Sequence, residues 1–164
     1  MNALIDTNVV VDVLVRRMPF FADSSRVLDR AERGDFTAWL CATTITTVFY
    51  LVRRHLGATE TIERLEDLIA ICSTAAVNKV VIDSALRSPF TDFEDAVLNY
   101  SALTVGADCL VTRNASDFRH SSLLVYTPSQ FLAALAQEQA EQARARLPAT
   151  RRESESEEES NTEP

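Results

Sequence analysis

The chain predicts an α/β fold, a three-layer α/β/α sandwich around a central parallel sheet of about four to five strands. Short apolar runs alternate with segments of helical period. Only 3 glycines are present, and no hairpin signal joins any two of the apolar runs. A length of 164 residues, 46% of them hydrophobic, suffices for one domain with a sizeable core.

The elements follow in order. ALID (3–6) is a short apolar run closing on a carboxylate and reads as a strand; TNVVVDVLVRR after it has helical rather than alternating character. FFADSSRVLDRAERGDF is a second helix with Gly34 as its stop and Phe21, Val27, Leu28 and Ala31 as its apolar positions. TAWLCA (37–42) is a second buried strand, and TITTVFYLVRRHLG a third helix ending at Gly57. Thr59 starts a fourth helix with Ile62, Leu65, Leu68, Ile69 and Cys72 along one side. AAV (75–77) is placed as a short strand, and VVIDSALRS as a short helix stopped by Pro89. A further helix runs from about Asp92 to Val105, with Gly106 as its stop. ADCLVT (107–112) is a third apolar strand followed by the loop RNASDF, SLLVYT (122–127) is a fourth, and Pro128 opens the last helix. Residues 1–136 are expected to form the folded domain with most of that helix, 137–147 its end, and 148–164 a disordered acidic tail.

Charge and cysteine usage narrow the function classes. The tail holds six acids against two bases, a net −4 and half of the chain's formal −8. An acidic domain argues against broad, salt-driven binding of nucleic acid, but not against an enzyme whose acids hold cations. Cys41, Cys72 and Cys109 lie far apart in apolar runs and read as buried free thiols, which suits a reducing cytoplasm. No apolar run approaches the ~20 residues of a membrane span.

In an open parallel sheet, ligands bind beyond the carboxyl ends of strands. Asp6 ends the first strand and Asp117 follows the third. SPFTDFEDAVLNY (88–100) adds Asp92, Glu94 and Asp95 within four positions. Thr91 with Glu94 fits a capping box, giving Glu94 a structural task. With about 100° per residue, Asp92 and Asp95 share one face, with Asn99 near the same line. Carboxylates facing Asp6 and Asp117 from that face would repel unless a divalent cation neutralised them, and hard Mg²⁺ or Mn²⁺ suits carboxylate donors.

LIDTNVVVDVL, ATTITTVFYL, DFEDAV and LVTRNASDF, in this order and spacing, resemble the PIN-domain family, and most closely its bacterial toxin-like nucleases of VapC type. The resemblance covers about residues 2–135. It implies an acidic pocket for Mg²⁺ or Mn²⁺ and hydrolysis of RNA phosphodiesters. The family aspartates fall on Asp6, Asp95 and Asp117, flanked by Thr7, Asn8, Thr112 and Asn114. The family's glutamate at the start of the helix after the second strand is missing: its slot falls at Thr47 or Thr46. Thr47 can hold a water but carries no charge, so Asp92 is the expected stand-in among the candidate catalytic acids.

The resemblance further implies an antitoxin partner, RNA as substrate, homodimerisation and a cytoplasmic toxin with no membrane partner. Because of the missing glutamate, the alternative is an inactive PIN-like module that binds RNA or a protein. Arg16–Arg17, Arg53–Arg54–His55 and Arg113/Arg119 are the basic groups available to phosphates, while His55 and His120 read as surface residues. Two other classes fail. A nucleophilic-aspartate phosphatase wants an acid where Asn8 stands, and no G-x-G-x-x-G is present for a dinucleotide.

Overall fold

The computed structural model describes residues 1–146, and the predicted disorder of 148–164 lies outside them. Two compact units are present, Met1–Leu132 and the part that follows from Ala133.

The first unit holds five parallel strands, β1 (Asn2–Ile5), β2 (Thr37–Cys41), β3 (Ser73–Ala75), β4 (Cys109–Val111) and β5 (Leu124–Tyr126), in the order β3-β2-β1-β4-β5. Helices flank them: α1 (Thr7–Leu14), α2 (Phe21–Glu32), α3 (Ala42–Leu56), α4 (Ala58–Ile71), α5 (Lys79–Leu86) and α6 (Phe93–Thr104). A last helix, α7 (Pro128–Arg146), begins in this unit. This is the predicted three-layer α/β/α arrangement. Strand β1 is central, with Leu4 opposite Trp39 of β2 and Leu110 of β4. Being flanked on both sides, it reads as an apolar run, and Ala3, Leu4 and Ile5 are fully buried.

Leu4 and Leu110 join a core cluster with Val81 and Ala85 of α5 and with Ala96, Val97, Leu98 and Ala102 of α6. The small residues of α6 let it lie close on the sheet, and four successive positions, Ala96 to Asn99, are buried. Such a helix is held by its surroundings on several sides.

Glycines punctuate the chain where the sequence predicts stops. Gly57, between α3 and α4, sits at φ 82, a left-handed value that side chains resist. Helix α5 is short and depends on its cap: the Asn78 side chain accepts from the backbone N–H groups of Val80 and Val81 at 3.0 and 3.1 Å. Asn78→Ala should therefore lower stability by about 1 kcal/mol in a urea melt.

The structure moves three predicted elements. The strand placed at 75–77 lies at Ser73–Ala75, because only Ala75 of that edge segment is buried and pattern alone cannot set its register. Helix α3 begins at Ala42, two residues before the predicted TITT start. The α4 stripe divides: Leu65, Leu68 and Cys72 are buried, but Ile62 and Ile69 are about half exposed, at 49% and 48%. All three cysteines are buried and unbridged, as predicted.

In the second unit, α7 continues as a polar helix. Gln137 donates to Glu141 and Gln142 to Glu138, both at 3.2 Å and both at the four-residue spacing that supports an exposed helix.

Candidate active site

Strands β2 and β3 extend the sheet to one side of β1, and β4 and β5 to the other. The order therefore reverses between β1 and β4, and the connections leaving their carboxyl ends run in opposite directions, the place where a ligand crevice forms in such sheets. Asp6 follows β1 and Thr112 follows β4, so both stand at that crevice.

A short network fixes Asp6. The Thr112 hydroxyl donates to Asp6 Oδ2 at 2.7 Å, and the Asn8 amide donates to the same oxygen. Asn8 also donates to Thr112 Oγ1 at 3.0 Å, and its own carbonyl accepts from the Arg113 backbone N–H at 3.1 Å. The Asn114 backbone N–H completes the set by donating to Thr112 Oγ1 at 3.0 Å. Thr112 thus uses its one proton and both lone pairs, and Asn8 ties the end of β1 to the end of β4. Asp6 is 5% exposed, and burial pushes its carboxyl up to about 6, against the opposing pull of the Thr112 bond and the backbone N–H groups of Asn8 and Thr7. Glu94 adds its own negative charge to the upward push.

The opposite wall is the start of α6. The capping box predicted from Thr91 and Glu94 is not formed. Asp92 is the N-cap, and its Oδ1 accepts from the backbone N–H groups of Glu94 at 2.7 Å and Asp95 at 3.4 Å. Asp caps as well as Thr, and here the helix starts one residue later than the motif implies. Two expectations change. Asp92 stands just before the helix, and its Oδ1 is engaged in capping while its charge remains the strongest of those acting on Asp95. Glu94, free of capping, reaches across to α1, where Thr7 Oγ1 donates to its Oε1 at 3.3 Å. Thr7 in turn pairs with Thr44 of α3, hydroxyl to hydroxyl at 3.1 Å.

Asp95 is where the charges meet. Burial pushes its carboxyl up to about 7, followed by the nearby carboxylates of Asp92, Asp6, Asp117 and Glu94. Asp117 is presented by a 3-10 turn, Ala115–Phe118, anchored by Phe118 in the core and by the Asp117 N–H bonded to Asn114 O at 3.0 Å. Four aspartates and one glutamate from three segments therefore act on one region. Among the described residues no group of three or more Asp, Glu, His or Cys side chains is already set to grip an ion. The chemistry of the carboxylates still fits one group, a hard divalent cation: the acids named are all oxygen donors, and a cation would relieve the repulsion that raises Asp95. One buried acceptor, Asn99 Oδ1, has no hydrogen-bond partner and lies one turn beyond Asp95, about 40° around the helix.

The sequence-predicted residues thus sort by geometry. Asp6, Asn8 and Thr112 are bonded to one another, and Asp95, Asp92 and Asp117 stand within electrostatic reach. Thr7 serves Glu94. Asn114 takes part through its backbone, with an exposed side chain. Thr47 is half-buried on α3, one turn after Thr44, and Thr46 turns back to the Thr43 carbonyl at 2.8 Å. Sequence reasoning missed Thr44, which enters the site because α3 begins early, and Glu94, which the apparent capping box concealed.

Arg113 also departs from expectation. Its guanidinium does not face solvent for phosphate; it ion-pairs with Asp12 of α1 at 3.0 Å and lies 4.4 Å over the Phe20 ring. Asp12 is fully buried, and burial raises its carboxyl while Arg113 and Arg17 oppose the rise. This pair braces the segment leading to Asp117 against α1.

A PIN-domain family model matches residues 2–116. The chain belongs to the PIN-domain family. Among solved structures, this PIN domain is similar to VapBC2 from Rickettsia felis, bound there to a DNA fragment from its promoter, with 14% identity and a TM-score of 0.61 over 76% of this chain and 97% of that one. It is also similar to VapBC-1 from nontypeable Haemophilus influenzae, with 14% identity and a TM-score of 0.59 over 79% and 99% of the two chains. A third is Mycobacterium tuberculosis VapC20, a toxin that cleaves the sarcin-ricin loop, with 11% identity and a TM-score of 0.55 over 66% and 86%. No curated protein matches the PIN domain by sequence. Among its described residues, no helix is long and apolar enough to cross a membrane.

Proposed function

We propose that this PIN domain is a divalent-metal-dependent ribonuclease, the toxin of a toxin–antitoxin pair acting in the cytoplasm as a homodimer. The observation that carries the nuclease reading is Asp6, buried and held by Thr112 and Asn8 at the β1/β4 crevice, with Asp95, Asp117 and Glu94 around it. The toxin reading is supported by the fold likeness to two VapBC proteins and to VapC20.

In this reading Asp6, Asp95 and Asp117 hold Mg²⁺ or Mn²⁺. Such an ion, when bound, acidifies water and offsets charge on a phosphate. Thr112 and Asn8 keep the Asp6 carboxylate in one orientation, the task of groups behind a metal ligand. Asp92 keeps the first turn of α6, and so Asp95, in place. Water attacks the RNA phosphorus in line and the 3′-oxygen leaves, giving a 5′-phosphate.

End-labelled single-stranded RNA with purified protein and Mn²⁺, Mg²⁺ or EDTA tests this. Cleavage is expected with either ion and none with EDTA. No cleavage with any ion, from folded protein, moves the reading to an RNA- or protein-binding module, which the missing acid at Thr47 favours. The pH dependence is a further expectation. Ion binding needs both Asp6 and Asp95 ionised, and burial pushes their carboxyls up to about 6 and about 7. Mn²⁺ affinity measured by calorimetry should therefore weaken roughly tenfold from about pH 7.5 to about pH 6.

A further inference from the structure

We propose that Glu94 supplies the fourth carboxylate of the ion site, and that Thr44 sets its position through Thr7. The inference rests on the metal-dependent reading above and extends it to residues outside the expected aspartates.

Three contacts carry it. Thr7 Oγ1 has a single proton and gives it to Glu94 Oε1. The Thr7–Thr44 contact at 3.1 Å must then have Thr44 as its donor. A directed chain runs from Thr44 on α3 through Thr7 on α1 to Glu94 on α6, joining three elements beside Asp6. Both threonines are buried, Thr44 at 0% exposure and Thr7 at 8%, so neither hydroxyl has ready access to water in exchange. Each bond polarises the next toward the carboxylate, which holds Glu94 turned to α1.

From this position Glu94 lies close enough for Asp6 to sense its charge. Asp6 follows β1 and is adjacent to Thr7, and the negative charge of Glu94 is felt at its carboxyl. Asp92, the stand-in expected from sequence, spends its Oδ1 on the helix cap. No acid occupies Thr46 or Thr47 on α3. The carboxylate that α3 lacks thus comes from α6, and α3 contributes the hydroxyl that orients it. Thr44 is a positioning residue, since it acts through Thr7.

The test is Mn²⁺ binding by isothermal calorimetry on the full chain at about pH 7.5, with folding checked by circular dichroism. The wild-type protein should bind, Glu94→Gln should bind at least about tenfold more weakly, and Thr44→Val about threefold more weakly. Thr44→Ser, which keeps the hydroxyl, should restore wild-type affinity. Wild-type binding with Glu94→Gln unchanged overturns the role of Glu94 and leaves the nuclease reading standing. Equal affinities for Thr44→Val and Thr44→Ser overturn the positioning role. Absence of binding by the wild-type protein overturns the metal-dependent reading, and this inference with it. Should Glu94→Gln fail to fold, Glu94→Asp, one methylene shorter, is read by the same criterion.

Discussion

Asp6→Asn should abolish cleavage and at the same time make the metal-free protein more stable. The two effects share a cause. At about pH 7.5 the Asp6 carboxylate is charged in both the folded and unfolded chain, but its folded value lies at about 6 against an ordinary 3.8. A raised value for an acid means that the folded state disfavours the charge. The penalty is absent below the unfolded value, grows as pH rises between the two, and is complete above the folded one. The rise from 3.8 to about 6 corresponds to about 3 kcal/mol, in which the hydrogen bonds that favour the charge are already counted, so the expected gain is about 3 kcal/mol. Urea melts in EDTA should show Asp6→Asn the more stable at about pH 7.5 and no difference near about pH 3.5. Cleavage should fall at least about a hundredfold. A variant less stable than wild type at neutral pH would show that the hydrogen bonds outweigh the buried charge.

The second large effect is expected at Arg113. Its guanidinium ion-pairs with Asp12, which has no exposure, and its side chain is only 18% exposed. Arg113→Met removes the partner and leaves a buried carboxylate, a change that costs about 3 kcal/mol or more. Arg17 also acts on Asp12 and limits the loss. In an Asp12→Asn background the same substitution should cost only about 1 kcal/mol, so the coupling in a double-mutant cycle is about 2 kcal/mol. Additive losses would mean that Arg113 stabilises through Phe20 alone, which lies 4.4 Å beneath it. Arg113→Met should also lower cleavage, because the segment presenting Asp117 begins there.

Much of this molecule could be read from its residues. Gly34, Gly57 and Gly106 mark helix ends because each adopts a positive φ. The apolar runs around Leu4 and Leu110 announce strands covered on both sides, and Asp6, Asp95 and Asp117 stand out by their place at element ends. Other features depend on competition that a linear pattern does not resolve. Thr91 and Asp92 are both good caps, and the choice between them decides where Glu94 points. The first turn of α3 contains no signal to separate Ala42 from Thr44 as its start. Arg113 looks like a phosphate ligand until Asp12, 101 positions earlier, proves to lie beside it. Asp12 itself reads as the polar face of a helix, and only packing shows that it is buried.

The bond from Thr112 to Asp6 has a consequence for how the protein is made. Asp6 leaves the ribosome 106 residues ahead of its partner Thr112, which follows strand β4. An unfinished chain holds the first carboxylate without the hydroxyl that orients it, without the start of α6 and without Asp117. Translation that stops early therefore yields an unarmed fragment, and the pocket is completed only when β4 docks beside β1. Under the RNA-cleaving activity proposed above, the order of synthesis is itself a safeguard for the message and the ribosome that produce the protein.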